Sequence, residues 1–264
     1  MNNQKIQHFF HPPSGTISYV VSDSTTRDAI IIDPVADYDE EHGKISFESA
    51  QSIIEYVEQH HFHITAILET HIHADHLSGC FHLNKVFQAP IYISDRVREI
   101  YENWKDELGL SELYPFDSFL MEGECLTFGH SRLEVIETPG HTPSDLTFKI
   151  GDAIFVGDSL FYRGTGRADF PGGSALTMYQ SLSKLYQLTD ATAVYLCHNY
   201  PSQESELVYK TTIGEEKQNN PMMNIRTTQQ DFVILRESRD HQLPKPKLLF
   251  PSLEYNLTAD KPHH

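Results

Sequence analysis

The sequence predicts an α/β protein with helices layered on sheet. Short apolar runs of strand length alternate with longer segments of helical period, and turn residues punctuate their boundaries. The 264 residues, 39% hydrophobic and 22% charged, have an ordinary globular balance and are enough for a sizeable buried core. Periodicity alone does not separate a doubly wound sheet from an α/β sandwich.

The elements follow in order. Residues 17–21 and 29–33 are β-branched runs separated by turn residues, a predicted hairpin that Pro34 ends. Residues 37–44 (DYDEEHGK) read as a polar loop. Phe47, Ile53, Ile54 and Val57 recur at helical spacing, so 48–60 is predicted helical. Residues 64–68 form a buried-type strand, 77–87 a helix and 91–93 a strand, with Asp95 as a cap for a helix to 108. Strands are expected at 125–128 and 133–138, and Gly151-Asp152 joins 147–150 to 153–156 as a hairpin. A helix over 175–188 and a strand at 194–196 come next. After Pro201 the pattern is irregular, with short helices near 214–218 and 228–237 and an extended tail from Leu243-Pro244-Lys245-Pro246.

Composition removes several function classes. The net charge of −17 repels nucleic acid and anionic lipid, so neither is an expected partner. No apolar run approaches the ~20 residues of a membrane-spanning helix. MNNQKIQHFF lacks a basic segment followed by an apolar one, so no secretory signal is expected. Cys80, Cys125 and Cys197 are too few and scattered for a disulfide framework, which suits a cytoplasmic location.

The chemistry concentrates in Thr70-His71-Ile72-His73-Ala74-Asp75-His76, directly after the 64–68 strand. In an extended segment residues two apart share a side, so His71, His73 and Asp75 converge, and His76 follows at the turn. Neutral imidazoles and a carboxylate are ligands that zinc, iron and manganese accept. His141, Asp158 and His198 each sit just past the carboxyl end of an apolar run. Alone, Asp158 reads as a helix cap and His141 as a turn residue. Loops at one sheet edge can instead bring all of them into a single site.

THIHADH resembles the HxHxDH signature of the metallo-β-lactamase superfamily, and TPGHT (138–142), GDSLF (157–161) and CHNY (197–200) resemble its remaining metal segments. The resemblance spans 16–257 and implies an αβ/βα sandwich of two mixed sheets flanked by helices, one domain over 1–264 with a disordered tail at 258–264. GRADF (166–170), Tyr179 with Ser181, and TIGEEK (212–217) before Asn220-Pro221 are similar to segments of the persulfide dioxygenases. The termini look most like a bacterial branch of beta-lactamase-like hydrolases linked to sulfide detoxification.

The resemblance implies a metal set of His71, His141 and Asp158 holding one Fe(II), with zinc as the alternative. His73, Asp75, His76 and His198 then either hold a second ion or stand behind the ligands and orient them. Arg163, Arg167, Asp169, Tyr179 and Arg226 are the candidates for substrate contact. Departures from the group are Ala168 for its threonine, Asn199 for its HDY aspartate, and Met222 for its NPR arginine. The expected reaction is oxidation of glutathione persulfide, or a similar small persulfide, by O2 and water to sulfite and thiol. A two-metal glutathione thioester hydrolase is the alternative, and a non-catalytic metal-binding domain a third reading. A homodimer and a sulfurtransferase partner are further expectations of the resemblance.

Overall fold

Tyr19, Val21, Ile30 and Ile32 face one side of their strands, Val20 and Ile31 face the other, and both sets are buried. A sheet covered on both faces needs two partner layers. In the computed structural model, which describes residues 4–200 and 206–262, one layer is a second sheet and the other is helical.

The first sheet has the order β1 (Gln4–His11), β2 (Thr16–Asp23), β3 (Asp28–Ile32), β6 (His63–Leu68), β8 (Ile91–Ser94) and β9 (Ser118–Leu120). β1–β2–β3 are antiparallel, and β3, β6, β8 and β9 run parallel. The second sheet runs β10 (Cys125–Phe128), β11 (Ser131–Glu137), β12 (Leu146–Ile150), β13 (Ala153–Phe155), β14 (Ala193–Tyr195) and β15 (Lys210–Thr212). Only β13–β14 is parallel in it. Tyr19, Ile32 and Leu68 pack against Phe148, Phe155 and Tyr195 between the sheets. The outer face of the first sheet packs on α1 (Glu48–His60), α2 (Cys80–Phe87), α3 (Val97–Leu108) and α7 (Leu249–Thr258). The outer face of the second packs on α4 (Ala175–Leu185), α5 (Ile213–Asn219) and α6 (Gln229–Asp240). The four layers are those of an αβ/βα sandwich. Among the described residues no helix is long and apolar enough to cross a membrane.

Several expectations are corrected. The polar segment 37–44 is a loop only at its centre, the turn 40–43: β4 (Val35–Asp39) and β5 (Lys44–Ser46) pair across it and join β7 (Leu77–Ser78) in a small third sheet. Residues 77–78 are therefore strand, and α2 begins only at Cys80. Asp95 does not cap α3, whose first turn follows Arg96 without a side-chain bond. β1 lies upstream of the expected start at Thr16, and its mixed pattern is that of an edge strand with one neighbour. The expected extended tail is non-helical only to residue 248, and helix α7 follows from Leu249. Its residues are buried nearly all round, so no polar face gives it a helical period. Pro251 sits in its first turn, where a missing N–H costs nothing. Residues 259–262 continue past α7 as placed chain, and 263–264 lie outside the described residues.

Candidate metal centre

All the loops that matter follow the carboxyl ends of strands: 69–76 follows β6, His141 follows β11, Asp158 follows β13 and His198 follows β14. The 69–76 loop is fastened from behind. Asp33 accepts from the Thr70 backbone N–H at 2.7 Å and from its hydroxyl at 2.9 Å. Asn256 on α7 donates through Nδ2 to the carbonyls of His73 and His76, each at 2.9 Å, and accepts from the Ser78 N–H at 2.7 Å.

Two groups of side chains converge. His71, His141 and Asp158 bring one ligand-type atom each within 4.8 Å of one another, and so do His73, Asp75, His76 and His198. Asp158 lies between them, with Oδ2 3.7 Å from His141 Nε2 and Oδ1 3.3 Å from His198 Nε2. Seven side chains singled out in the sequence are thus brought to one place. All but Asp75 are buried.

The donor atoms are left free on the inward side. His71 Nε2, His73 Nδ1, His76 Nε2, His198 Nε2, Asp75 Oδ2 and Asp158 Oδ1 are buried without a hydrogen-bond partner. Each such atom costs ~1–3 kcal/mol unless something satisfies it. Six of them converging is the arrangement a cation resolves, and two imidazoles with a carboxylate suit iron or zinc. The residues therefore fit a metal.

The outward atoms fix the rings. Nδ1 of His141 donates to the Arg167 carbonyl at 2.8 Å, which leaves the Nε2 lone pair facing Asp158. Nδ1 of His71 meets the Thr70 hydroxyl at 3.0 Å, and Nδ1 of His76 meets that of Thr16 at 3.2 Å. His73 Nε2 lies 3.3 Å from Asp33 Oδ1 and 3.2 Å from Glu69 Oε2.

Electrostatics agrees with this assignment of atoms. Burial, and then the neighbouring imidazoles, hold His71 well below its usual value, which keeps it neutral. Burial pushes His76 down to about 4. His73 is the exception: burial opposes its charge, but the carboxylates of Asp33 and Glu69 prevail and raise it. Burial also opposes ionisation of Asp75, yet His198 and His76 hold its carboxyl far below the usual range.

The predicted substrate residues divide. Arg167 forms a two-pronged pair with Asp169 at 2.6 and 2.8 Å, and its guanidinium stacks 4.7 Å over Phe170, whose ring faces His141. Arg163 is exposed and paired with Glu215 at 3.0 Å. The Tyr179 hydroxyl donates to the Thr227 carbonyl and its ring packs beside Phe232. Arg226 is exposed between α5 and α6. Cys197 lies near Asp158 and His198, but its thiol turns to Asp33 and burial pushes it up, so it packs as a small core residue. Asp33 and Asn256 were missed because each is a lone polar residue in its own segment, and Glu69 because it lies one residue outside the THIHADH run.

Comparison with known proteins agrees with the layers and the loops. The family described as Metallo-beta-lactamase superfamily matches residues 12–198. The chain belongs to the metallo-beta-lactamase superfamily. Within the superfamily it is 36% identical to Glyoxylase B2 of Dictyostelium discoideum, over 98% of this chain and 91% of that one. It is also 36% identical to a beta-lactamase hydrolase-like protein of Xylella fastidiosa, of which it spans 61%. It is 29% identical to the mitochondrial persulfide dioxygenase ETHE1 of Bos taurus, over 92% and 83% of the two chains. The crystal structure of ETHE1 from Myxococcus xanthus superposes with a TM-score of 0.79 at 29% identity, covering 96% of this chain and 97% of that one.

Proposed function

We propose that the protein is a persulfide dioxygenase with a single Fe(II) held by His71, His141 and Asp158. The observation that carries this reading is that the GRADF segment, one of the resemblances to that group, bonds to two of the proposed ligands. Gly166 N–H donates to the Asp158 carbonyl at 3.0 Å, and the Arg167 carbonyl accepts from His141. Relatives bearing the persulfide dioxygenase name over most of the chain support it further.

The overall reaction is RSSH + O2 + H2O → RSH + SO3²⁻ + 2H⁺. Bound iron supplies the one-electron chemistry of O2 that no side chain provides. The chain's own work is positional. His71 offers a neutral nitrogen, and the ring of His141 is held in one orientation by the Arg167 carbonyl. Phe170, covered by Arg167, shields His141 from water. A cavity of about 540 Å³, lined by His11, Ser14, Asp37 and Lys247 among others, borders Asp75 and His76. His73, Asp75, His76 and His198 orient the ligands and the incoming water. Three free cysteines suit the reducing cytoplasm, where a sulfurtransferase would deliver the persulfide.

One observation favours the hydrolase alternative. The two oxygens of Asp158 face different groups, as a carboxylate bridging two ions would. Glyoxylase B2 is also among the relatives. Purified protein offered glutathione persulfide and, separately, S-lactoylglutathione discriminates the two. Sulfite release with O2 uptake supports the proposal, and thioester hydrolysis without O2 uptake replaces it.

A further inference from the structure

Beneath the 164–168 loop lies an ion pair that takes no part in the site described above. Arg236 and Asp240, one turn apart on α6, meet at 2.6 Å with side chains 3% and 2% exposed. The Arg236 Nη1 donates to both the carbonyl and the hydroxyl of Thr165, each at 3.2 Å. The second oxygen of Asp240 accepts from the Ala168 N–H at 3.0 Å. The pair therefore grips the loop at residues 165 and 168.

The two residues between those grips touch the metal centre through their backbone. Gly166 donates to the carbonyl of Asp158 and Arg167 accepts from His141 Nδ1. There is no slack in this arrangement: a Cβ on Gly166 would lie 2.2 Å from the Asp158 carbonyl oxygen. Isolated buried charge is costly, and a buried pair is a poor source of net stability. Its effect here is to fix where a four-residue segment sits.

We propose that Arg236 and Asp240 are positioning residues for the metal centre, setting the ring of His141 and the backbone of Asp158 through the 165–168 segment. The inference rests on the proposed ligand set but not on the identity of the substrate.

Co(II) binding by full-length protein, followed by its visible absorption, tests it together with long-range ¹H–¹⁵N NMR of the His141 ring in metal-stripped protein. In Asp240→Asn an amide NH2 must face either the Ala168 N–H or Arg236, so one grip fails. The expected result is a folded protein whose Co(II) affinity falls about 10–100-fold, with His141 no longer held as the Nδ1–H tautomer. The double variant Arg236→Met/Asp240→Leu removes both charges, a replacement often tolerated in stability. It carries the test alone where Asp240→Asn does not fold. Wild-type Co(II) affinity with an unchanged His141 tautomer in either folded variant overturns the proposal. A wild type that binds Co(II) but does not oxidise persulfides refutes the proposed reaction and leaves this inference standing.

Discussion

Asn256 and His73 lie 183 positions apart, yet Nδ2 of the first donates to the backbone carbonyl of the second across 2.9 Å. With its bonds to His76 and Ser78, this amide closes three backbone groups of the histidine loop. Asn256→Ala leaves them buried and unpaired. A loss of about 2–4 kcal/mol is expected at ~1–3 kcal/mol per stranded group, with partial relaxation. Urea unfolding measures it, and an unchanged midpoint shows that the amide does not hold the loop.

Gly166→Ala tests the backbone route to Asp158. The added methyl meets a carbonyl oxygen rather than a movable side chain, so the Asp158 turn has to shift. Metal occupancy is expected to fall at least tenfold while the far-ultraviolet circular dichroism is kept. Full occupancy in Gly166→Ala means that Asp158 is free to adjust.

Asp23 predicts an acid-dependent contribution to stability. Burial opposes its ionisation, but hydrogen bonds from Ser131, Thr25 and Thr26 outweigh this and hold the carboxyl well below the usual range. The His130 N–H adds another, so Asp23 ties the end of β2 to the β10–β11 turn. A folded-state pKa depressed below the unfolded one stabilises above the unfolded value near 4 and loses that stability as pH falls through the folded value. Asp23→Asn should therefore be less stable than wild type at neutral pH, and the gap should narrow below about pH 4. A gap that is constant from pH 7 to pH 3 removes Asp23 from the account.

The sequence was most informative where chemistry is local. Four ligand-type side chains after a buried strand stand out, and His141, Asp158 and His198 could be gathered because each ends an apolar run. What supports them was harder to see. Asp33, Asn256 and Arg236 are ordinary polar residues until the fold buries them against a backbone group far along the chain. α7 hid because a helix buried all round has no polar stripe, and β1 because an edge strand has weak alternation. Arg167 and Asp169, read as candidates for substrate contact, pair with each other. The fully buried pair is Arg236 with Asp240, whereas the Asp169 side chain is 37% exposed.

Metal removal should loosen the centre without unfolding the sandwich. The three apolar layers do not include the ligands, so the core stands on its own. The ligand atoms of His71, His141 and Asp158 lose their partner, however, and bound metal stabilises only the folded state. A chelator is expected to lower Tm by several degrees and added metal to restore it. Complete unfolding on chelation, or no change in Tm, runs against this view of the site.

The central claim is a single redox-active ion held by two imidazoles and one carboxylate. The most direct test measures iron per chain and O2 consumed per glutathione persulfide in wild type and in His141→Ala. The account predicts about one iron and one O2 per sulfite formed in wild type, with both lost in a folded His141→Ala. Two zinc ions per chain with no O2 uptake, or full iron occupancy in His141→Ala, would contradict it.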